Sequence, residues 1–314
     1  MAMGPSRGYT IGRYALELNH VSAGWLFGAE GGGRSAEVVQ EKLSQEHHVR
    51  KHIAGIKYED ITITVGMASS PDFWKWIKTT VEDKPERRDG AIVIYDFKHR
   101  ERQRRTFYNA LISEIGFPSL DATSKTAALL TIKISPEYIK LEDSQGTRGS
   151  VSYGHDELSK QKMWLCSNFN FSLDRFKGDV SLKNAKLEAF TIKQGIMMNP
   201  IGRHLGTHKY AGRLEKPSLQ ISFPQSLIKP YVEWYDECVR KGDYIGELTN
   251  GVITYYASDL KTELMNINLE NVGITSVEFD KLESHKEGIA KAKVSLYVET
   301  MHLKKGDGTV GGND

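Results

Sequence analysis

Two stretches of this chain follow one pattern. "YEDITITVGMASSPDFWKWIKTTVE" begins at Tyr58 and "KPSLQISFPQSLIKPYVEWYDECVRKG" at Lys216, and they align without a gap at a shift of 158 residues. In the first copy Ile61, Ile63 and Val65 alternate as a half-buried strand does, the strand breaks at Gly66, and Ser70 and Pro71 open a helix as N-cap and first helical residue. In the second copy Leu219, Ile221 and Phe223 take the strand positions. Phe73, Trp76, Ile77 and Val81 in one copy and Tyr231, Trp234, Tyr235 and Val239 in the other are linked by steps of three and four residues, which places each set on one helix face. Such a face has to be buried, so these eight residues are the predicted helix-docking core. A repeat of this length fixes the architecture before any other feature does.

The repeat extends in both directions. "GAIVIYDF" at 90–97 matches "GVITYYAS" at 251–258, and "TFYNALISEIGFPS" at 106–119 is set against "ELMNINLENVGITS" at 263–276, which pairs Asn109 with Asn266 and Gly116 with Gly273. Each copy opens with a strand, "YALELNHV" or "NFNFSLDRF", and closes with another, "ALLTIKI" or "IAKAKVSLYV". The unit is several strands, one short amphipathic helix, a hairpin and a closing strand, a mainly β (α+β) pattern. The predicted division is a first domain over 1–139, a polar, turn-rich linker over 140–160, a second domain over 161–305 and a disordered tail over 306–314.

Composition narrows the function classes. With 39% hydrophobic and 26% charged residues, and no apolar run near the ~18 residues a membrane span needs, the chain reads as a soluble protein made in the cytoplasm. Lys and Arg number 42 against 40 Asp and Glu, so no nucleic-acid platform is expected from charge. Cys166 and Cys238 make neither a disulfide framework nor a zinc knuckle. His47, His48 and His52 in "HHVRKH", and His204 and His208 in "IGRHLGTHKYAG", read as loops with no metal-ligand partners at matching spacing, and both are expected to serve subunit contacts. "GGG" at 31–33 reads as a turn, since it lacks the strand-to-helix context of a phosphate loop. The basic run "KHRERQRR" at 98–105 is placed at a hairpin tip, where Arg100, Arg102, Arg104 and Arg105 are candidate subunit contacts. Nucleic-acid binding through that run is the alternative of another class. Neither a nucleophile elbow nor a base beside either cysteine is present, so no enzyme, cofactor or metal is expected.

The stretches "KHIAGIKYEDITITVG", "FWKWI", "ERRDGAIVIYDF", "TFYNALISEIGFPSLDATSK" and "AALLTIKI" resemble the tail tube proteins of contractile-tailed phages and related injection systems; "LEAFTIKQ", "LQISF" and "YVEWYDECV" resemble them more weakly. The resemblance implies two tandem small β-barrels, each flanked by one helix, whose strands join those of neighbours into six-fold rings that stack as a hollow tube. Because two copies are fused, three chains suffice for a pseudo-six-fold ring, and a homotrimer is expected over a hexamer of two stacked rings. The fusion also points to a ring at or near an end of the tube, in contact with tube, baseplate, spike or cap proteins, with a repeating inner-tube subunit as the alternative.

Overall fold

The computed structural model describes residues 11–306 apart from 43–48, 67–68, 99, 144–163, 177–184, 201–206, 243–244 and 281–288. The first unit runs β1 (Ile11–Leu18), β2 (Val21–Gly31), β3 (Arg34–Lys42), β4 (Val49–Tyr58), β5 (Ile61–Gly66), α1 (Pro71–Val81), β6 (Arg88–Asp96), β7 (Glu101–Phe117), β8 (Leu120–Asp121), β9 (Leu129–Ser135) and β10 (Tyr138–Asp143). Its strands neighbour one another in the order β7-β6-β1-β2-β5-β9, and β9 pairs back to β7, which closes a six-stranded antiparallel barrel. Closure pairs these strands with one another around the barrel and leaves an edge on the far half of β7, where β6 ends its pairing at Ala110 and only β9 continues. β3 and β4 stand apart as a two-stranded hairpin with mostly exposed residues.

Helix α1 forms where the sequence places it. The Ser70 hydroxyl accepts the Phe73 amide at 3.3 Å, Pro71 sits in the first turn, and Phe73, Trp76, Ile77 and Val81 are all buried. The Trp76 indole donates to the Glu86 carbonyl at 2.8 Å, which satisfies the one polar atom this ring takes into the core.

The second unit comprises β11 (Phe169–Leu173), β12 (Lys186–Leu187), β13 (Phe190–Pro200), β14 (Thr207–Glu215), β15 (Leu219–Pro224), α2 (Lys229–Tyr235), β16 (Thr249–Tyr256), β17 (Glu263–Phe279) and β18 (Lys291–Lys305). Its order, β11-β16-β17-β18-β15-β12, repeats the order of the first barrel. One joint differs: among the described residues β11 does not pair with β12, so this barrel stands open where its counterpart is closed by β1 and β2. In the first barrel the closing contacts use Val21–Leu26, and the corresponding residues 179–184 fall in a segment outside the description.

Pairing registers give the repeat residue by residue. β5 and β15 correspond at 158, as do the hairpins β3–β4 and β13–β14, since Ser35↔Lys57 has its counterpart in Lys193↔Glu215. Gly90 and Gly251 hold equivalent places, as the sequence predicts. Along β7 and β17 the shift becomes 162, and this corrects the pairing of Asn109 with Asn266 and of Gly116 with Gly273. Asn109 and Asn271 are the equivalent residues: both have positive φ (49° and 54°), and their amides bond the side chains of Asp89 and Asn250. A bulge follows at Ser113 and Thr275, whose hydroxyls bond Lys133 O and Ser295 O. The alignment read from the sequence is five residues out, an odd number, which would turn every side chain of the strand to the wrong face.

The last elements also refine the boundaries. β10 continues to Asp143, so residues 140–143 are strand, and β9 with β10 answers the single strand β18 with a break at Pro136. A proline cannot donate to a sheet ladder. The remainder of the expected linker and residues 307–314 of the expected tail lie outside the described residues.

Candidate assembly interface

The two barrels join by exchanging strands. β13, which like its counterpart β3 lies outside its own unit's barrel, adds to the far half of β7, with Phe190↔Phe117, Thr191↔Gly116, Ile192↔Ile115 and Lys193↔Glu114. Phe117 and Phe190 stack with centroids 4.8 Å apart and planes 17° off parallel. In return β8 pairs with β12, Leu120 opposite Leu187. The Trp74 ring of α1 lies over Trp164 of the second unit at 6.3 Å, and the Ala128 amide bonds the Trp164 carbonyl at 2.7 Å. Buried side chains from both units form one continuous hydrophobic cluster.

A polar lock sits beside this apolar seam. Lys209 of β14 is 3% exposed, and its ammonium donates to Ser135 Oγ at 2.8 Å and lies 3.5 Å from Asp60 Oδ1; Ser135 Oγ in turn donates to Asp60 at 2.6 Å. Glu137 accepts the Lys209 amide at 2.8 Å and stands 3.2 Å from His208 Nδ1. Arg87 donates to the Lys209 carbonyl at 2.7 Å and lays its guanidinium over Tyr210. Burial pulls the Lys209 pKa below its ordinary value, with Asp60 and Glu137 opposing the shift.

The predicted site residues fall as follows. Phe73, Trp76, Ile77 and Val81 are buried, as are Tyr231 and Trp234, while Tyr235 is half-buried and Val239 is 37% exposed. The departure at Val239 has a local cause: after Tyr235 the helix widens into a π turn over Asp236–Arg240, which rotates the face by about one residue and turns Cys238 inward instead. Of the arginine run only Arg100 belongs to the hairpin tip, because β7 starts at Glu101. Arg102 bonds Asp96 through two nitrogens, Arg104 binds both Glu17 and Glu101, and Arg105 donates to the Gly31 carbonyl at 3.2 Å. These three side chains are engaged within their own unit. The hydrogen bonds that Arg104 donates to Glu101 and Glu17 raise its pKa.

The segments read as histidine loops are strands: His52 lies in β4 and His208 in β14, while His47, His48 and His204 lie outside the described residues. Their exposed faces and embedded glycines remove the period-two signal that marks a strand. Among the described residues no group of three or more His, Cys, Asp or Glu side chains is placed to share a metal ion, and no helix is long and apolar enough to cross a membrane. Sequence reasoning missed Asp60, Ser135, Glu137 and Lys209, since four scattered residues meeting across two units leave no spacing to read. The Phe117 and Phe190 pair was equally silent.

Residues 13–140 match the family model described as T4-like virus tail tube protein gp19. Solved structures similar to this chain include the sheath/tube terminator of the PVC extracellular contractile injection system in its extended state, 16% identical over 44% of this chain and 99% of that one with a TM-score of 0.38. Others come from the baseplate of the anti-feeding prophage, 13% identical over 44% of this chain and 91% of that one with a TM-score of 0.36, and from its tube-terminating cap, 15% identical over 44% and 88% with a TM-score of 0.35. A search of curated proteins finds no match. The family match spans the first unit alone, residues 13–140, and is what that unit is similar to.

Proposed function

We propose that this chain is a structural subunit of a contractile phage tail or tail-like injection particle, assembling as three copies into a pseudo-six-fold ring at or near an end of the inner tube. The reading rests on one observation: two units of the same strand order lie side by side, joined edge to edge by β13 on β7. Lateral strand addition carries a sheet around a ring, whereas two rings stacked along an axis meet through their ends. Its partners are therefore other copies of itself and the tube, baseplate, spike or cap proteins it abuts, and its role is architectural, with no catalytic step.

The end position follows from the fusion. A ring of three chains has two kinds of unit alternating around it, so it presents three-fold features on a six-fold frame, and a uniform tube has no use for that difference. Light scattering tests the stoichiometry: three copies of the 35.3 kDa chain give about 106 kDa and six give about 212 kDa. Labelled protein on purified particles tests the location. Label at a tube end is expected, and label spaced along the whole tube would replace this reading with the repeating inner-tube subunit.

A further inference from the structure

Among the described residues, the joint between the units has an unpaired counterpart of each of its halves elsewhere in the chain. Inside the chain, hairpin β13–β14 adds to the Glu114–Phe117 edge of β7. By the 162-residue shift that edge corresponds to Ser276–Phe279 of β17, which pairs with β18 on one side and, among the described residues, with no strand on the other. Phe117 is buried against Phe190, whereas Phe279 at the same position is 55% exposed. By the 158-residue shift the hairpin β13–β14 corresponds to β3–β4, whose two strands pair only with each other among the described residues and expose Val38 and Ile53. A third feature agrees: Leu303 of β18 is buried in the cleft beside Trp74 of α1, while Leu141, its counterpart on β10, is exposed.

We propose that hairpin β3–β4 of one chain adds to the Ser276–Phe279 edge of β17 in a second copy, repeating head to tail the joint that β13 makes with β7. The occupant is a second copy because the same chain already carries one complete joint of this kind, and each free half matches a half of that joint. An unpaired strand edge is the surface on which another strand adds. Carrying the internal register across gives Ser35 opposite Ser276, Arg34 opposite Val277, Gly33 opposite Glu278 and Gly32 opposite Phe279. The polar lock transfers with a change of chemistry. Arg50 takes the place of His208 and Glu299 that of Glu137, so the joint gains an arginine–carboxylate pair in place of the His208–Glu137 contact.

The inference deepens the ring reading above, since three such joints close that ring. It is tested on the full chain carrying Ser35→Cys and Ser276→Cys, two positions at the surface or its margin. Directly opposed residues of antiparallel strands stand ~4.5–5.5 Å apart at Cα, within disulfide reach. Mild oxidation is expected to give, by mass spectrometry, a disulfide-linked peptide pair joining positions 35 and 276. A mixture of the two single variants should give a covalent dimer, which only a joint between chains can produce. Absence of that dimer, or equal yield from the out-of-register pair Ser35→Cys with Phe279→Cys, overturns the proposal. As an independent reading, Arg50→Glu and Glu299→Arg should each weaken self-association roughly tenfold and together restore it; a double variant no better than the singles also counts against the joint. Covalent species that stop at three chains support the closed ring as well, while a longer ladder supports the joint and overturns the ring.

Discussion

Removal of either docking tryptophan tests how far the two units are one body. Trp76 and Trp234 are both fully buried, and each indole donates to a main-chain carbonyl, Glu86 at 2.8 Å and Glu247 at 3.0 Å. Trp→Ala in such a core costs about 3–5 kcal/mol through lost burial and the cavity left behind. Taken alone, the repeat predicts that each change unfolds its own unit. Strands exchanged in both directions and a hydrophobic cluster running through both units predict instead one transition that either variant moves. With an unfolding entropy of about 2.1 cal/mol/K per residue, the 314 residues unfolding together give about 0.7 kcal/mol/K, so the loss shifts Tm by about 5–8 °C. Scanning calorimetry at matched protein concentration measures it. Two resolved transitions, of which only one moves in each variant, would refute the single cooperative unit.

Three further outcomes follow from individual side chains. Because the folded pKa of Lys209 lies below its unfolded value of 10.5, the unfolded state holds more protons between the two, and stability from this group rises with pH there; Lys209→Met should remove that rise in urea midpoints measured up to pH 10.5. Asp96 is held below its ordinary 3.8, first by the Arg100 amide and then by Arg102, so its contribution is complete above pH 3.8 and lost as pH falls through the folded value; Asp96→Asn should flatten that acid limb of the stability curve. Asn109 and Asn271 hold positive φ, so Ala at either position should cost about 1–2 kcal/mol in chemical denaturation, and Gly should cost much less.

What the sequence disclosed depended on whether a residue's role is local. The strand and helix of each copy, with Ser70, Pro71 and the aromatic face, are set by contacts within a turn or two, and their periodicity showed them directly. The register of β7 against β17 did not show. Asn109 recurs at Asn266 by coincidence, whereas the equivalence with Asn271 rests on a backbone conformation that residue identity alone does not signal. The histidine-bearing parts of β4 and β14 read as loops because neither has a continuously buried face there, and a stretch without one has no alternation to detect. The arginine run was legible as charge but not as ion pairs, since Glu17 lies 87 residues before Arg104.

The two kinds of joint are unequal, and the inequality fits a piece that forms before the tube does. The internal joint has the Phe117–Phe190 stack and the buried Lys209 with Ser135 and Asp60. At the proposed external joint the corresponding residues are Phe279 against Gly32, and Lys51 facing Tyr297 and Ser218, so the stack is gone and that lysine loses its Asp60 carboxylate. Aromatic stacking adds about 0.5–1.5 kcal/mol beyond burial, whereas a pair between the exposed Arg50 and Glu299 returns only about 0–1 kcal/mol, so the external joint is the weaker of the two. Within a chain the stronger joint forms at an effective concentration set by the covalent link, independent of how many copies the cell holds. A six-unit ring then assembles from three bodies instead of six, by two encounters instead of five, and each encounter saved removes one unfavourable loss of translational and rotational freedom. On the ring reading proposed above, a tube built from single-unit subunits would gain a template if such a ring closed first.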